Sequence, residues 1–163
     1  RALLRRVADL YPDYDLVVVD GGSHLSSVLA ACLAGAERLL TVTSPDRVSM
    51  AATYALLKVG RDRFPRMPME ILVNGGDGMT AEEVFRLMNL AGERFLGLKV
   101  AFGGSVPRDA RIADLHGEAG SLLSLAHSAP ALTAAGVLHS RLASEQARAA
   151  GAPSQVIPLS PSP

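Results

Sequence analysis

Residues 14–24 of the chain read YDLVVVDGGSH, and this stretch decides the predicted fold. Four apolar residues, 16–19, lead directly into Asp20 and a Gly-Gly-Ser turn. A short β-branched run without polar alternation is typical of a strand that is buried on both faces of a parallel sheet. Ligands of such sheets bind outside the carboxyl ends of the strands, so Asp20 is placed to hold a metal-bound phosphate. The alternative is that Asp20 only caps the following helix.

The composition is that of a globular protein with no strong overall charge. Of the 163 residues, 48% are hydrophobic and 20% are charged, and the formal net charge is +0. A neutral chain has no global electrostatic attraction to nucleic acid or anionic lipid, so such a partner would need a local patch. Cys32 is the single cysteine. Because it has no second thiol to pair with, we expect a buried small side chain and a cytoplasmic location.

The beginning of the chain suggests that other residues precede it. The sequence starts at Arg1 rather than at a methionine, within ALLRRVADL, where apolar residues recur at helical spacing. We therefore expect a helix already under way, which ends near Pro12 because a proline disfavours helical geometry in the residue before it. The fold should accordingly be incomplete at its amino end.

Strand and helix patterns alternate along the rest of the chain. We predict four strands, at 16–19, 38–43, 69–73 and 97–102, and helices between them at about 25–36, 46–60 and 80–91. Helices at about 108–115, 122–127 and 130–150 follow. The pattern favours an α/β fold in three layers, a mostly parallel sheet with helices on both faces. Residues 1–150 would form this domain, and the Pro/Ser-rich tail 151–163 would be disordered.

Two helix boundaries carry specific signals. Thr80 and Glu83 have the spacing of a capping box, in which each side chain accepts a hydrogen bond from the backbone of the other residue. Gly60 follows the apolar stripe of the preceding helix and is predicted to end that helix. These signals fix the helices on either side of the strand at 69–73.

Three predicted strand ends finish in small or polar turns. They are Asp20-Gly21-Gly22, Asn74-Gly75-Gly76 and Gly103-Gly104-Ser105. Parallel strands share a direction, so these turns would all open on the carboxyl edge of the sheet. The sequence therefore predicts a ligand crevice along that edge.

Several segments in a fixed order resemble a known family. YDLVVVD, AGAERLLTVTSPDRVSMAATYALLK, MEILVNG and GSVPRDARI are similar to the carboxyl-terminal two thirds of a MinD/ParA-type P-loop ATPase, in the MinD-like branch that regulates flagellar number and placement. The resemblance covers roughly residues 13–142. It implies a P-loop NTPase-like fold and an ATP-dependent dimerisation switch acting in flagellar placement, cell-pole organisation or partitioning.

The resemblance implies roles for the first turn and for the loop after the second predicted strand. Asp20 matches the acid that ends the Walker B strand, which in relatives helps to hold Mg²⁺ through its water shell. Gly21 and Gly22 match the switch region that senses the γ-phosphate of ATP. Ser44 and Pro45 match a loop that forms part of the dimer surface in relatives. A homodimer in the ATP-bound state, together with protein partners, is therefore expected.

The resemblance also implies a base-binding edge. Asn74 matches the residue that faces the nucleobase, since its amide can both donate to and accept from adenine. Val106, Pro107 and Arg108 match the loop whose backbone borders the base. Asp109 matches the acid of the Pro-x-Asp pattern in the family.

Two departures from the family leave two interpretations open. No Walker A loop, with its glycines followed by Lys-Ser or Lys-Thr, occurs in the 163 residues, so this chain alone should not hydrolyse ATP. His24 also stands where relatives carry a switch glycine. The chain is either part of an ATPase whose phosphate loop lies elsewhere in the protein, or a non-catalytic interaction module that has lost nucleotide binding.

Other candidate sites are weaker. The four histidines are scattered without ligand spacing, which argues against a histidine metal site; they are His24, His116, His127 and His139. Arg61, Arg63 and Arg66 form a basic cluster that either is a solvated loop or meets phosphate, lipid or an acidic partner. The tail after Ala150 has no basic residue, which argues against membrane targeting through it. Partners could still bring the protein to the membrane or the cell pole.

Overall fold

The computed structural model describes residues 10, 14, 16–22, 27–75, 79–113 and 129–149 of the chain. Within these residues the chain is a mixed α/β structure with a parallel sheet. The elements in chain order are α1 (Ser27–Leu33), β1 (Leu39–Thr43), α2 (Arg47–Arg63), β2 (Met69–Asn74), α3 (Ala81–Ala91), a π-helical turn (Gly92–Leu96), β3 (Ala101–Val106), α4 (Ala110–Ala113) and α5 (Pro130–Ala149).

The sheet has the order β1-β2-β3, and both pairs of strands are parallel. Leu39 pairs with Met69 at the start of the first ladder, and Thr43 pairs with Val73 at its end. The ladder between β2 and β3 shifts register between Ile71 and Leu72, so that β3 carries one extra residue there. β2 is therefore the central strand, and the carboxyl ends of all three strands lie at one edge.

The core lies between one face of the sheet and α2 and α3. Alternate residues of β2 (Met69, Ile71 and Val73) are buried in one cluster with Leu57 of α2 and Val84 of α3. Successive side chains of a strand point to opposite faces, so Glu70 and Leu72 lie on the other face. Glu70 contacts Arg141 of α5, which places α5 on that second face. Helices thus cover both faces of the described sheet.

The predicted capping box at the start of α3 is confirmed. Thr80 Oγ1 accepts from Glu83 N at 3.2 Å, and Glu83 Oε2 accepts from Thr80 N at 2.8 Å. These bonds satisfy two backbone donors that have no partner within the helix. The hydrogen bonds with Thr80 also hold the pKa of Glu83 below its ordinary value.

The predicted end of α2 at Gly60 is wrong. The helix continues to Arg63, and Gly60 is buried within it. A Cβ at residue 60 would lie 2.9 Å from Met69 Cε and 3.4 Å from Leu39 Cδ2. This glycine is therefore placed by close packing of α2 on the sheet rather than by helix termination.

The prediction of a buried strand at 16–19 is wrong. These residues belong to no strand of the described sheet, and Val17, Val18 and Val19 are 44%, 79% and 43% exposed. A run of apolar residues specifies a strand only if a neighbouring strand supplies hydrogen bonds and a packing surface. Neither β1 nor β3 pairs with this segment in the described residues. Three of the four predicted strands are therefore present.

The last strand begins four residues later than the predicted start at Gly97. Gly97 ends the π-helical turn in the left-handed conformation, with φ +59. Leu98 N then donates to Gly92 O at 3.1 Å, and Val100 N donates to Asn89 Oδ1 at 3.0 Å. These donors are used by the preceding helical segment, so pairing with β2 starts at Ala101. Gly103 and Gly104, predicted to lie in a loop, are in β3 as a result.

The remaining predictions concern the other helices, the burial of Cys32 and the tail. The long helix predicted at about 130–150 is confirmed as α5, and the short helix predicted at about 108–115 is confirmed over Ala110–Ala113. Cys32, expected to be buried, is half-buried in α1. Leu10, in the helix predicted at the start of the chain, is helical. The rest of that helix, the helix predicted at 122–127 and the tail 151–163 lie outside the described residues.

Candidate functional site

The carboxyl edge of the sheet brings together the residues predicted to border a base. Asn74, the last residue of β2, is paired in register with Val106, the last residue of β3. Gly75 N then donates to Val106 O at 2.7 Å, which joins the two chain segments beyond the ladder. Gly75 has φ +59, a conformation that glycine adopts without the strain a side chain would cause. The exposed Asn74 side chain therefore projects from a strand end whose backbone is hydrogen-bonded to β3.

Arg108 lies against the same turn. A Cβ built on Gly75 would be 3.8 Å from Arg108 Cβ and 3.9 Å from its Cα. Pro107 is exposed and connects Val106 to Arg108, and it has no backbone N–H to donate. Asn74, Val106, Pro107 and Arg108 thus form one continuous edge, which we call the base edge.

Asp109 continues the base edge, but its carboxylate is used locally. Its Oδ1 accepts from Arg111 N at 3.1 Å and from Arg111 Nε at 3.0 Å, and its Oδ2 accepts from Arg111 Nη2 at 3.0 Å. The hydrogen bond from the Arg111 side chain holds the pKa of Asp109 below its ordinary value. The residue therefore fixes the chain at the start of α4 as an ionised acid.

Asp20 lies in a separate turn. Its Oδ1 accepts from Gly22 N at 2.8 Å, which is the hydrogen bond of an Asx turn. Gly22 has φ +69, and a Cβ on Gly21 would lie 2.6 Å from Leu29 Cδ1 of α1. The Asp20–Gly22 turn is thus packed on a core residue of α1, with the exposed Asp20 carboxylate serving its own backbone.

The residues present do not form a Mg²⁺–ATP site by themselves. Magnesium in nucleotide sites is held by one or two carboxylates together with the phosphates, and these must be cradled by other groups. Asp20 supplies one carboxylate, and the sequence contains no Walker A loop. Within the described residues there is also no group of three or more His, Cys, Asp or Glu side chains that could hold a metal ion.

The loop after β1, which carries the predicted dimer-surface residues, is built on hydroxyl groups. Ser44 N donates to Ser49 Oγ at 2.9 Å, and that oxygen lies 3.3 Å from Thr43 Oγ1. Asp46 caps α2 by accepting from Ser49 N at 2.8 Å. These bonds fix Ser44 at the carboxyl end of β1. Its role in a dimer stays a prediction.

The weaker candidates remain as isolated features. Arg61 pairs with Asp62 at 2.8 Å. Arg61 and Arg63 lie in the last turn of α2 rather than in a loop, and both are exposed, as is Arg66. His139 is exposed on α5. Ser23, His24, His116 and His127 lie outside the described residues.

Sequence reasoning missed the strongest charge cluster. Glu70 in the central strand is 5% exposed, and it pairs with Arg38 at 2.7 Å and with Arg141 at 2.8 Å. The available signal was a glutamate inside the otherwise apolar segment MEILV, because a carboxylate is seldom fully buried unless it is paired. The two arginines that pair with it are 103 residues apart in sequence, so no local pattern indicates the pairing.

Comparisons with known proteins do not assign the chain to a family. None of the models of known protein families matches it, and neither does any curated protein sequence. As for membranes, no helix in the described ranges combines the length and hydropathy that a bilayer-spanning segment requires.

Proposed function

We propose that this chain supplies the base-binding part of a MinD/ParA-like nucleotide-dependent switch with a P-loop NTPase-like fold. The observation that supports the proposal is the base edge, where the Gly75–Val106 hydrogen bond holds Asn74 beside Val106, Pro107 and Arg108. Ligand sites of parallel α/β sheets lie at this carboxyl edge. The family resemblance adds that the ligand is ATP with Mg²⁺, and that nucleotide binding drives homodimerisation.

The chemistry of the base edge suits a purine with adjacent donor and acceptor groups. The Asn74 amide has both donors and an acceptor and is exposed at the strand end. Its backbone is held on one side by the ladder to β3 and on the other by the Gly75 turn. A side chain presented from a fixed backbone loses less conformational freedom on binding than one on a mobile loop. Adenine is therefore the proposed base.

In this proposal the phosphates are held by residues that the 163 do not include. Asp20 would add a carboxylate to the nucleotide site of the complete protein, which would act as a cytoplasmic ATPase in flagellar placement, cell-pole organisation or partitioning. Dimerisation would place the Ser44–Pro45 loop at the subunit interface. Protein partners would bind the dimer, and ATP hydrolysis would return the subunits to the undimerised state.

Base recognition can be tested on this chain without the phosphate loop. Adenosine is titrated into isotope-labelled protein while the side-chain amide resonances are followed by NMR. We expect the Asn74 amide to shift with a saturating dependence on adenosine. The Asn89 amide is an internal control, because its Nδ2 already donates to Glu93 Oε1 at 3.1 Å and its Oδ1 accepts from Val100 N.

Asn74→Ala should abolish the adenosine-dependent shift of Gly75 N–H while the Asn89 resonances stay in place. Cytidine is the ligand control and should leave both side chains unchanged. Absence of any saturating shift at Asn74 and Gly75 with adenosine would overturn the assignment of the base edge. Equal shifts with adenosine and cytidine would do the same.

The role of Asp20 requires the complete gene product. Mg²⁺–ATP binding is compared between the wild type, Asp20→Ala and the control Asp62→Ala, in which an exposed aspartate paired to Arg61 is removed. We expect weaker binding for Asp20→Ala alone. Equal, negligible binding by the wild type and Asp20→Ala would contradict a nucleotide switch.

The second candidate is a non-catalytic interaction module built on the same fold. The exposure of Val17–Val19 favours it, because an apolar run at the surface is typical of a surface that binds another protein. The coding sequence upstream of Arg1 separates the two functions. A strand followed by a Gly-rich loop ending in Lys-Thr or Lys-Ser would support the ATPase, whereas a start codon near Arg1 would support the module.

A further inference from the structure

A four-residue charge network joins α5 to the sheet. Glu70 Oε1 forms an ion pair with Arg38 Nη1 at 2.7 Å, and its Oε2 accepts from Arg141 Nη2 at 2.8 Å. Glu145, one helical turn beyond Arg141, pairs with Arg141 Nη1 at 3.3 Å and also with Arg38. The two acids and two arginines therefore form a closed ring, in which each residue contacts two others.

The ring reaches all three strands. Arg38 directly precedes β1, and Glu70 lies in β2. Arg141 Nη2 also donates to Gly103 O of β3 at 3.2 Å. Gly103 is the extra residue of β3, which has no register partner in β2. The Arg141 guanidinium therefore donates to a backbone carbonyl at the bulge of the ladder. Two side chains of α5 thus contact β2, β3 and the residue that precedes β1.

Apolar side chains are less completely buried along the same helix. Of the side chains that the structure describes in and next to α5, the two that are buried are Ala129 and Ala131, at its amino end. A Cβ on Gly136 would meet no atom within 4 Å, and Val137 is 67% exposed. Among the side chains that the structure describes, the core cluster beneath α2 and α3 contains none from α5. The carboxyl-terminal half of α5 thus contacts the sheet through the charge pairs and through leucines that are only half-buried, Leu138 and Leu142.

We infer that α5 is a strap held on the sheet by the Arg38–Glu70–Arg141–Glu145 ring, and that screening this ring releases the helix while the sheet stays folded. The side chains of Arg38, Arg141 and Glu145 are 33%, 34% and 32% exposed, so ions of the solvent reach them. Glu70 keeps its contact with Arg38 when α5 leaves, because Arg38 directly precedes β1 and Glu70 lies in β2. Release frees the Gly103 carbonyl from Arg141.

Salt distinguishes a charge-held strap from an apolar contact. Raising NaCl from about 0.1 M to about 1 M shortens the Debye length from about 10 Å to about 3 Å, which weakens partly exposed ion pairs. Sodium sulfate at the same ionic strength screens charge equally but strengthens apolar burial. A charge-held α5 should be released by both salts, whereas an apolar contact would be tightened by sulfate.

The experiment is amide hydrogen exchange on the full chain, read separately for α5, α2 and β2. In high salt of either kind we expect exchange in the second half of α5 to rise by about tenfold, the factor that a loss of several surface-type ion pairs gives. Exchange in α2 and β2 should change little. Equal salt responses in α5 and β2, or α5 amides that are unprotected already at low salt, would overturn the inference.

Two charge-removing variants complete the test. Arg141→Gln breaks the contacts with Glu70, Glu145 and Gly103 and leaves the Arg38–Glu145 pair, so α5 should exchange faster at low salt than wild-type α5 does, with a smaller further response to NaCl. Arg61→Gln removes an arginine from an exposed pair with Asp62 and should leave α5 protected. A salt response in Arg141→Gln as large as that of the wild type would show that other contacts hold the helix.

Discussion

The segment at 16–22 and the strand β2 have similar sequences and different structures. Both are short apolar runs that end in an acid or amide followed by glycine, LVVVDGG and ILVNGG. Ile71 and Val73 of β2 are 0% and 1% exposed, whereas Val18 is 79% exposed. β2 has a strand on each side and helices on both faces, and the first segment has no strand partner in the described sheet. The neighbours of an apolar run, rather than the run itself, decide whether it is a buried strand.

The largest expected effect tests this contrast directly. Ile71→Ala should lower the free energy of unfolding by about 3 kcal/mol, because it leaves a cavity in the centre of the core. Val18→Ala should change it by less than about 0.5 kcal/mol, as substitutions at exposed sites do. Urea denaturation of both variants measures the difference. A comparable loss for Val18→Ala would mean that the first segment is buried in solution.

Gly22 of the first segment and Gly103 of β3, the strand beside β2, should respond to substitution for different reasons. Gly103→Ala would place a Cβ 2.8 Å from Leu40 Cδ1 and 3.1 Å from Ile71 O, and overpacking of this kind costs about 1–3 kcal/mol. Gly22→Ala meets no atom within 4 Å but retains φ +69, which costs about 1 kcal/mol for a side chain. Denaturant midpoints of the two variants give both values.

Second substitutions can distinguish crowding at Gly103 from backbone strain at Gly22. In the Gly103→Ala protein, Leu40→Ala should recover part of the lost stability, because it removes the nearer of the two crowded contacts. No second substitution near Gly22 should restore the stability of the Gly22→Ala protein, because the strain lies in the backbone of residue 22 itself. If Leu40→Ala does not recover stability in the Gly103→Ala protein, the crowding lies at the Ile71 carbonyl.

What the sequence predicted well was local. The capping box at Thr80 and Glu83 and the apolar run of β2 each need only a few adjacent residues, and both are confirmed. The late start of β3 depends on two backbone N–H groups, which donate to the Asn89 side chain and to the Gly92 carbonyl instead of to β2. The Glu70 ring depends on pairing over 71 residues. These features depend on which segments contact each other in the folded chain. The local periodicity of the sequence does not indicate those contacts.

The base edge shows the same division. That Asn74 and Val106 would share an edge follows from parallel strands, and the ladder confirms it. That Gly103 and Gly104 lie within β3 rather than beyond it could not be predicted, because glycine is favoured in turns and is also found in bulges. Asp20 was predicted at the end of a strand, and the turn that holds it is fixed instead by Gly22 and by contact with Leu29.

The smallest expected effect concerns the acids beside β2. The hydrogen bond from Arg38 holds the pKa of Glu145 below its ordinary value, and the charge of Arg141 acts in the same direction. An acid whose pKa is lower in the folded state stabilises the fold above its unfolded pKa, and this contribution is lost as the pH falls through the folded value. Stability should therefore decrease below about pH 4.5, and the decrease should be smaller in Glu145→Gln.

The measurement is the urea midpoint of both proteins between about pH 6 and about pH 3, since the difference between them isolates Glu145 from the other acids. The sheet and α5 should be read by separate probes, because a strap held by charge gives most of the Glu145-dependent change in the α5 signal. Repeating the series in about 1 M NaCl should reduce the difference between the two proteins, as screening removes the attraction that lowers the pKa. A Glu145→Gln profile that coincides with the wild type in low salt would show that the charge of Glu145 adds no measurable stability, and the contacts of Arg141 with Glu70 and Gly103 would then be left to hold α5 on β2 and β3.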